Sequence, residues 1–192
     1  MIIYFMKNIA IFASGSGTNA ENIMVYFEDS TEVNVAVVLT NNPKAGVIER
    51  AHSQFVDVHV FNKDDFYSSD RVIDILIQNN IDLIVLAGFL WLVPSNLINK
   101  YDDRIINIHP ALLPKYGGKG MFGMRVHEAV IDAKDSVSGI TIHKVNSKYD
   151  DGQIVFQAQF EISDYETPHS LAQKIHKLEY KHFPLVIEEY LK

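Results

Sequence analysis

Residues 104–116 read Arg104-Ile105-Ile106-Asn107-Ile108-His109-Pro110-Ala111-Leu112-Leu113-Pro114-Lys115-Tyr116, and Asn107 and His109 have the types and spacing to do chemistry. The apolar, β-branched run stops at Pro110, which has no backbone donor to continue a ladder, so it predicts a buried strand ending at His109. Side chains two apart on a strand share a face. A carboxamide donor and an ionisable imidazole would therefore project together from the strand's carboxyl end, a pair suited to holding a carbonyl oxygen as it becomes an oxyanion. The same two residues also fit a loop-capping asparagine and a satisfied core histidine.

A second candidate lies near the start. Ser14-Gly15-Ser16-Gly17-Thr18-Asn19 follows a predicted strand over residues 8–13 and precedes a predicted helix over residues 20–28, whose Ile23, Met24 and Phe27 share a face. Strand, glycine loop and helix make a phosphate-binding arrangement, because glycines let backbone N–H groups approach an anion and the helix N-terminus adds partial positive charge. Gly15-x-Gly17-x-x-Ala20 also satisfies the weak dinucleotide fingerprint. The second strand, residues 33–39, argues against a dinucleotide: it ends Leu39-Thr40-Asn41-Asn42, without the acidic residue that would hold ribose hydroxyls. A single phosphate is the better fit.

Three motifs in order, Ser14 to Asn19, then Asn107-Ile108-His109-Pro110-Ala111-Leu112-Leu113-Pro114, then Tyr149-Asp150-Asp151-Gly152-Gln153-Ile154, resemble the folate-dependent formyltransferases, from about Lys7 to the C-terminus. Within them, the chain is most similar to those acting on glycinamide ribonucleotide. The resemblance implies transfer of the formyl group of 10-formyltetrahydrofolate, a co-substrate, to the amine of glycinamide ribonucleotide in purine biosynthesis, directly and through a tetrahedral oxyanion. It implies that Asn107, His109 and Asp150 are catalytic, with Asp151 a rival for the aspartate. It places Gly17, Thr18 and Asn19 on the ribonucleotide phosphate and Glu179 at the ribose or phosphate end. It sets Leu90, Trp91, Leu92, Val93 and Asn107 against the pteridine, and makes Lys63 the candidate for the folate glutamate tail. Trp91 stands where relatives often have arginine.

Read without the resemblance, these residues are less specific. Asp150 and Asp151 are ordinary turn residues, Lys63 an isolated surface lysine and Glu179 a solvated helix residue. Residues 88–94 are too apolar for an exposed loop and form either packing over the sheet edge or one wall of a cleft for a flat heterocycle. Where the resemblance implies Asp150 beside His109, that carboxylate is expected to raise the histidine's pKa above ~6.5 and keep the imidazolium near neutrality.

The remaining pattern supplies the positioning elements. Helices are expected over residues 43–54, 65–79 (with Val72, Ile73, Leu76 and Ile77 as the apolar face), 125–133 and 167–191, the last kinked or split at Pro184. Strands are expected over residues 56–61, 82–87, 137–145 and 154–162. His127 could face the site or solvent, and His143 is assigned to structure. Residues 117–123, with four glycines, are expected to be mobile until something orders them. Alternating strands and helices predict a single-domain, Rossmann-like, three-layer α/β fold with a mostly parallel sheet over residues 7–192, preceded by a short extension of residues 1–6.

Composition limits the partners. The chain has 192 residues, 47% of them hydrophobic, which suits one globular domain. A net charge of -7 without a basic cluster argues against nucleic acid, and no apolar run reaches the ~20 residues needed to span a bilayer. The absence of cysteine rules out disulfides and thiolate catalysis and fits a reducing cytoplasm. Eight histidines show no metal-binding spacing, and no Gly-x-Ser-x-Gly marks a serine nucleophile. The rival readings are formyltetrahydrofolate deformylase, methionyl-tRNA formyltransferase and a non-catalytic nucleotide-binding domain. Oligomeric state stays open.

Overall fold

The apolar runs of the sequence become strands buried on both faces, and their alternation sorts side chains to two separate cores. In the computed structural model, which describes residues 6–192, β1 (Lys7–Phe12) sends Ile9 and Ile11 to one core and Ala10 and Phe12 to the other. The first core is closed by α1 (Thr18–Phe27), α2 (Val47–Ser53), α6 (Met124–Asp132) and α7 (Pro168–Tyr190), through residues such as Ile23, Val47, Val130 and Phe183. The second is closed by α3 (Lys63–Tyr67), α4 (Arg71–Gln78) and α5 (Ser95–Lys100), through Phe66, Leu76 and Leu97. Helices thus cover both sides of the sheet, as the three-layer expectation requires.

The other strands are β2 (Val33–Thr40), β3 (Asp57–Val60), β4 (Ile81–Leu86), β5 (Ile105–His109), β6 (Val137–Lys144) and β7 (Ile154–Glu161). Their order is β3-β2-β1-β4-β5-β6-β7, parallel through β5 and antiparallel for β6 and β7. The chain reverses its direction of travel across the sheet at β1, between β2 and β4. In open α/β sheets a crevice opens beyond the strands' carboxyl ends at such a point.

Four expectations need correction. The helix expected over residues 65–79 is two helices, because Asn62 caps an earlier start with a reciprocal capping box to Asp65, and Ser69 then diverts backbone bonds to its hydroxyl before α4 begins. The helix expected from residue 43 begins only at Val47, since Asn42 turns the chain by accepting from the amides of Lys44 and Ala45. The short helix α5 has no counterpart in the sequence reading. Finally, α7 runs unbroken through Pro184: the carbonyl of Tyr180, four residues earlier, receives no N–H from the proline but accepts from Asn22 Nδ2 at 2.9 Å instead. Other boundaries move by one or two residues.

Of the expected extension, residues 1–5 lie outside the described residues, and Met6 is exposed just ahead of β1. Among the described residues no helix is long and apolar enough to cross a membrane.

Candidate active site

A cavity of about 680 Å³ opens at the carboxyl ends of β1, β4 and β5, and each strand delivers one part of it. After β1 comes the glycine loop. Gly17 takes a left-handed conformation (φ 78°) and precedes α1 without any side-chain cap, so the first-turn amides of the helix are available to an anion. A Cβ on Gly17 would lie 2.5 Å from Cβ of Val47, whereas nothing lies within 4 Å of one on Gly15. Close approach is therefore required only at Gly17. Arg50 steadies the loop from behind, donating through Nε to the Ser16 carbonyl at 2.9 Å and pairing with Glu21.

The end of β5 carries Asn107 and His109, both lining the cavity as expected. In the antiparallel register with β6, Asn107 lies opposite His143, and Asn107 Nδ2 is 3.0 Å from His143 Nε2. His143 Nδ1 is 2.8 Å from the Lys144 carbonyl and so carries a proton, while Nε2 faces both the Asn107 amide and, at 3.6 Å, Asp150 Oδ1. One N–H of Asn107 faces that ring. The other meets only Asp150 Oδ1, at 3.5 Å, and is the donor left for a substrate oxygen.

Asp150, not Asp151, reaches this cluster. Its Oδ2 lies 3.6 Å from His109 Nδ1 and accepts from the Gly118 amide at 2.9 Å, while Asp151 is exposed against Lys148. Burial pushes the Asp150 carboxyl up, but His143, His109 and the Gly118 amide together hold it below its usual value. The expectation for His109 is reversed. It is 3% exposed, and burial drives its pKa below 6.5, outweighing the upward pull of Asp150 and of the Tyr116 carbonyl. Its Nε2 lies 2.8 Å from that carbonyl and donates to it, so the neutral ring that burial favours carries its proton on Nε2.

At the other end of the cavity Glu179, 4% exposed, faces the glycine loop from α7. Its Oε2 takes hydrogen bonds from Asn19 Nδ2 and His176 Nδ1, each at 2.9 Å, and Glu179 raises the pKa of His176. It is a buried cavity residue, not a solvated one. His127 of α6 also lines this end and is buried.

Of the apolar segment after β4, Gly88, Phe89 and Leu90 line the cavity, and of the four expected folate-side residues 90–93 Leu90 alone does so. Trp91 turns away into an aromatic cluster, about 6.0 Å from Phe61, Phe66 and Tyr67. The Leu92 carbonyl accepts from Tyr67 OH at 3.0 Å, and Val93 is buried in the second core. Lys63 stands over Trp91, 5.9 Å from its ring centroid, outside the cavity lining. Among the described residues no cluster of His, Cys, Asp or Glu could hold a metal ion.

The family model for formyl transferase matches residues 7–187. The chain belongs to the formyl transferase family. It is 35% identical to phosphoribosylglycinamide formyltransferase of Bacillus subtilis, covering 97% of this chain and 95% of that one. Against the chloroplastic phosphoribosylglycinamide formyltransferase of Arabidopsis thaliana the identity is 38%, over 97% of this chain and 67% of that one. The crystal structure of glycinamide ribonucleotide transformylase 1 from Geobacillus kaustophilus superposes with a TM-score of 0.88 at 33% identity, covering 98% of this chain and 100% of that one.

Within this formyl transferase domain the sequence reading underrated three histidines. His143 reaches the site only through the β5–β6 pairing, and no local pattern reveals that register. His127 and His176 lie on helices that close over the cavity. The spacing of His176 and Glu179, three apart on one helix face, was the one local signal available for their pairing.

Proposed function

We propose that this chain transfers the formyl group of 10-formyltetrahydrofolate to the amine of glycinamide ribonucleotide, as a cytoplasmic enzyme of purine biosynthesis. The observation that carries the reading is the convergence of Asn107, His109 and Asp150 in one cavity between an uncapped helix N-terminus and an apolar wall. The relatives' names, phosphoribosylglycinamide formyltransferase in both cases, agree with it.

In this reading Gly17, Thr18 and Asn19 hold the phosphate and Glu179 the ribose. Leu90 and the backbone of residues 87–90 line the folate side, with Trp91, Leu92 and Val93 supporting that wall from the core. Lys63 is the candidate for the folate tail. The amine nitrogen bonds to the formyl carbon, and the free N–H of Asn107 meets the oxygen as it becomes negative. Because His109 starts neutral, its charge arises during the reaction: the ring takes the proton shed by the amine, Asp150 at 3.6 Å stabilises the imidazolium, and the proton passes to the departing folate nitrogen as the carbon–nitrogen bond breaks. Holding two substrates in line supplies further acceleration.

The deciding experiment incubates the protein with 10-formyltetrahydrofolate, with and without glycinamide ribonucleotide. Tetrahydrofolate and formylated ribonucleotide appearing together, only when the acceptor is present, support the reading. Formate released without acceptor would mean a deformylase, and phosphate-ligand binding without formyl chemistry a nucleotide-binding domain.

A further inference from the structure

Two residues that line this cavity each carry a buried polar atom with no hydrogen-bond partner among the described residues: Oδ1 of Asn19 and Nδ1 of His127. Such atoms are costly to leave unpaired, and two lining one cavity point to a ligand that completes them. The chemistry of the Asn19 atom is settled by its neighbour. Its Nδ2 donates to the Glu179 carboxylate at 2.9 Å, so the unpaired atom is an acceptor. An acceptor does not suit a phosphate dianion; it suits a hydroxyl. Glu179 adds a second set of acceptor lone pairs, since both of its protein hydrogen bonds fall on Oε2 and none on Oε1.

His127 lines the same cavity as Glu179 and His109. It projects from α6, which packs against α7, and is 3% exposed. Burial lowers its pKa most, and the smaller effects of Glu179, His176 and His109 put all three within reach of its ring. A substrate whose phosphate rests on the glycine loop and whose amine meets Asn107 and His109 must carry its sugar through the cavity between them, which His127 also lines. Burial favours the neutral ring, which keeps one donor and one acceptor nitrogen. Neither makes a hydrogen bond to the described protein groups, and no part of the catalytic scheme uses them.

We propose that His127 is a specificity-determining contact to the ribose of the ribonucleotide, completing with Asn19 and Glu179 the polar groups that meet the sugar hydroxyls. This rests on the ribonucleotide reading above. A histidine placed only for packing would tolerate an apolar ring of similar size. One that meets a hydroxyl would not.

The test measures binding of glycinamide ribonucleotide and its 2′-deoxy and 3′-deoxy forms by calorimetry to wild type, His127→Phe, His127→Asn and His127→Gln. Binding of an unreactive 10-formylfolate analogue and thermal unfolding are followed in parallel. The expected result is a loss of about tenfold in ribonucleotide affinity for His127→Phe, with the folate analogue and melting temperature unchanged. The wild-type preference for at least one hydroxyl should shrink in that variant, and His127→Asn or His127→Gln should restore part of it. Unchanged ribonucleotide affinity in His127→Phe, or equal weakening of all three ribonucleotides and the folate analogue, overturns the proposal while leaving formyl transfer by wild type intact. Failure of the wild type itself to bind the ribonucleotide overturns both. If His127→Phe does not fold, the ribose preference of His127→Asn and His127→Gln decides the matter: wild-type preference in both, with wild-type affinity for the deoxy forms, would exclude His127 as a contact.

Discussion

Nε2 of His109 donates to the main-chain carbonyl of Tyr116 across 2.8 Å, while Nδ1 of the same ring faces Asp150 at 3.6 Å. Both edges of the imidazole are thus engaged by protein before any substrate arrives. For the ring to exchange a proton with substrate, one contact must yield. Tyr116 sits where the chain enters the glycine-rich segment, whose Gly118 amide is itself bound to Asp150. Ring, aspartate and segment are therefore joined by direct contacts.

The ionisation of His109 follows directly. Its folded pKa lies below 6.5, with burial as the main cause and Asp150 pulling the other way. An NMR titration of the ring should give a midpoint under 6.5, and Asp150→Asn should move that midpoint further down by removing the upward pull. The acid limb of kcat/KM should shift in the same direction. Asp151→Asn should leave both where they were, because Asp151 is an exposed partner of Lys148. A wild-type midpoint above 6.5 would restore the resting imidazolium and reject the neutral-ring scheme.

Removing the oxyanion donor or the proton carrier should separate catalysis from binding. Asn107→Ala and His109→Ala are each expected to lower turnover by about 10²–10³, the range found when one preorganised donor is lost. Ribonucleotide affinity should stay near wild type, since the proposed phosphate and sugar contacts lie on the glycine loop, α6 and α7. Single-turnover rates and calorimetry check the two halves. Wild-type turnover in either variant would remove that residue from the catalytic role.

The two glycines of the phosphate loop should behave differently. Gly17→Ala forces an L side chain into a left-handed conformation, which costs ~1–2 kcal/mol, and drives its Cβ into Val47. Truncating Val47 would not relieve it, because the Val47 Cα is 2.6 Å away. KM for the ribonucleotide should rise at least tenfold with little change in folate affinity. Gly15→Ala, with open space around its Cβ, should be close to neutral. Equal effects at both positions would mean that the backbone shape at Gly17 is not what receives the phosphate.

How far the sequence disclosed this arrangement depended on whether the deciding contact was local. Asn107 and His109 share a strand face, and that face is readable from period two and a proline stop. The glycine loop was legible because its strand and helix flank it directly. The role of His143 was not, since it depends on an antiparallel register between segments 36 residues apart. Nor was the charge state of His109, because burial comes from chain that folds over it later in the sequence. At Pro184 the local rule held, yet Asn22 supplied the missing donor from another helix. Residues 88–94 were read as either packing over the sheet edge or one wall of a cleft, and the chain turns there to do both: Gly88, Phe89 and Leu90 line the cavity while Trp91 and Val93 turn inward.

That turn makes the last prediction a contrast between neighbours. Leu90, 44% exposed and lining the cavity, has little protein to support, so Leu90→Ala should leave the melting temperature nearly unchanged and raise KM for the folate several-fold. Trp91 is packed among Phe61, Phe66, Tyr67 and Phe89, with Lys63 over its face. Trp91→Ala should destabilise the fold by about 1–3 kcal/mol, less than a fully buried aromatic because the residue is only partly covered. Its effect on folate KM should be the smaller of the two at temperatures where the variant stays folded. Denaturant unfolding and steady-state kinetics on both variants check the contrast. A large KM effect in Trp91→Ala without loss of stability would show that the indole, despite its packing, swings out to meet the folate.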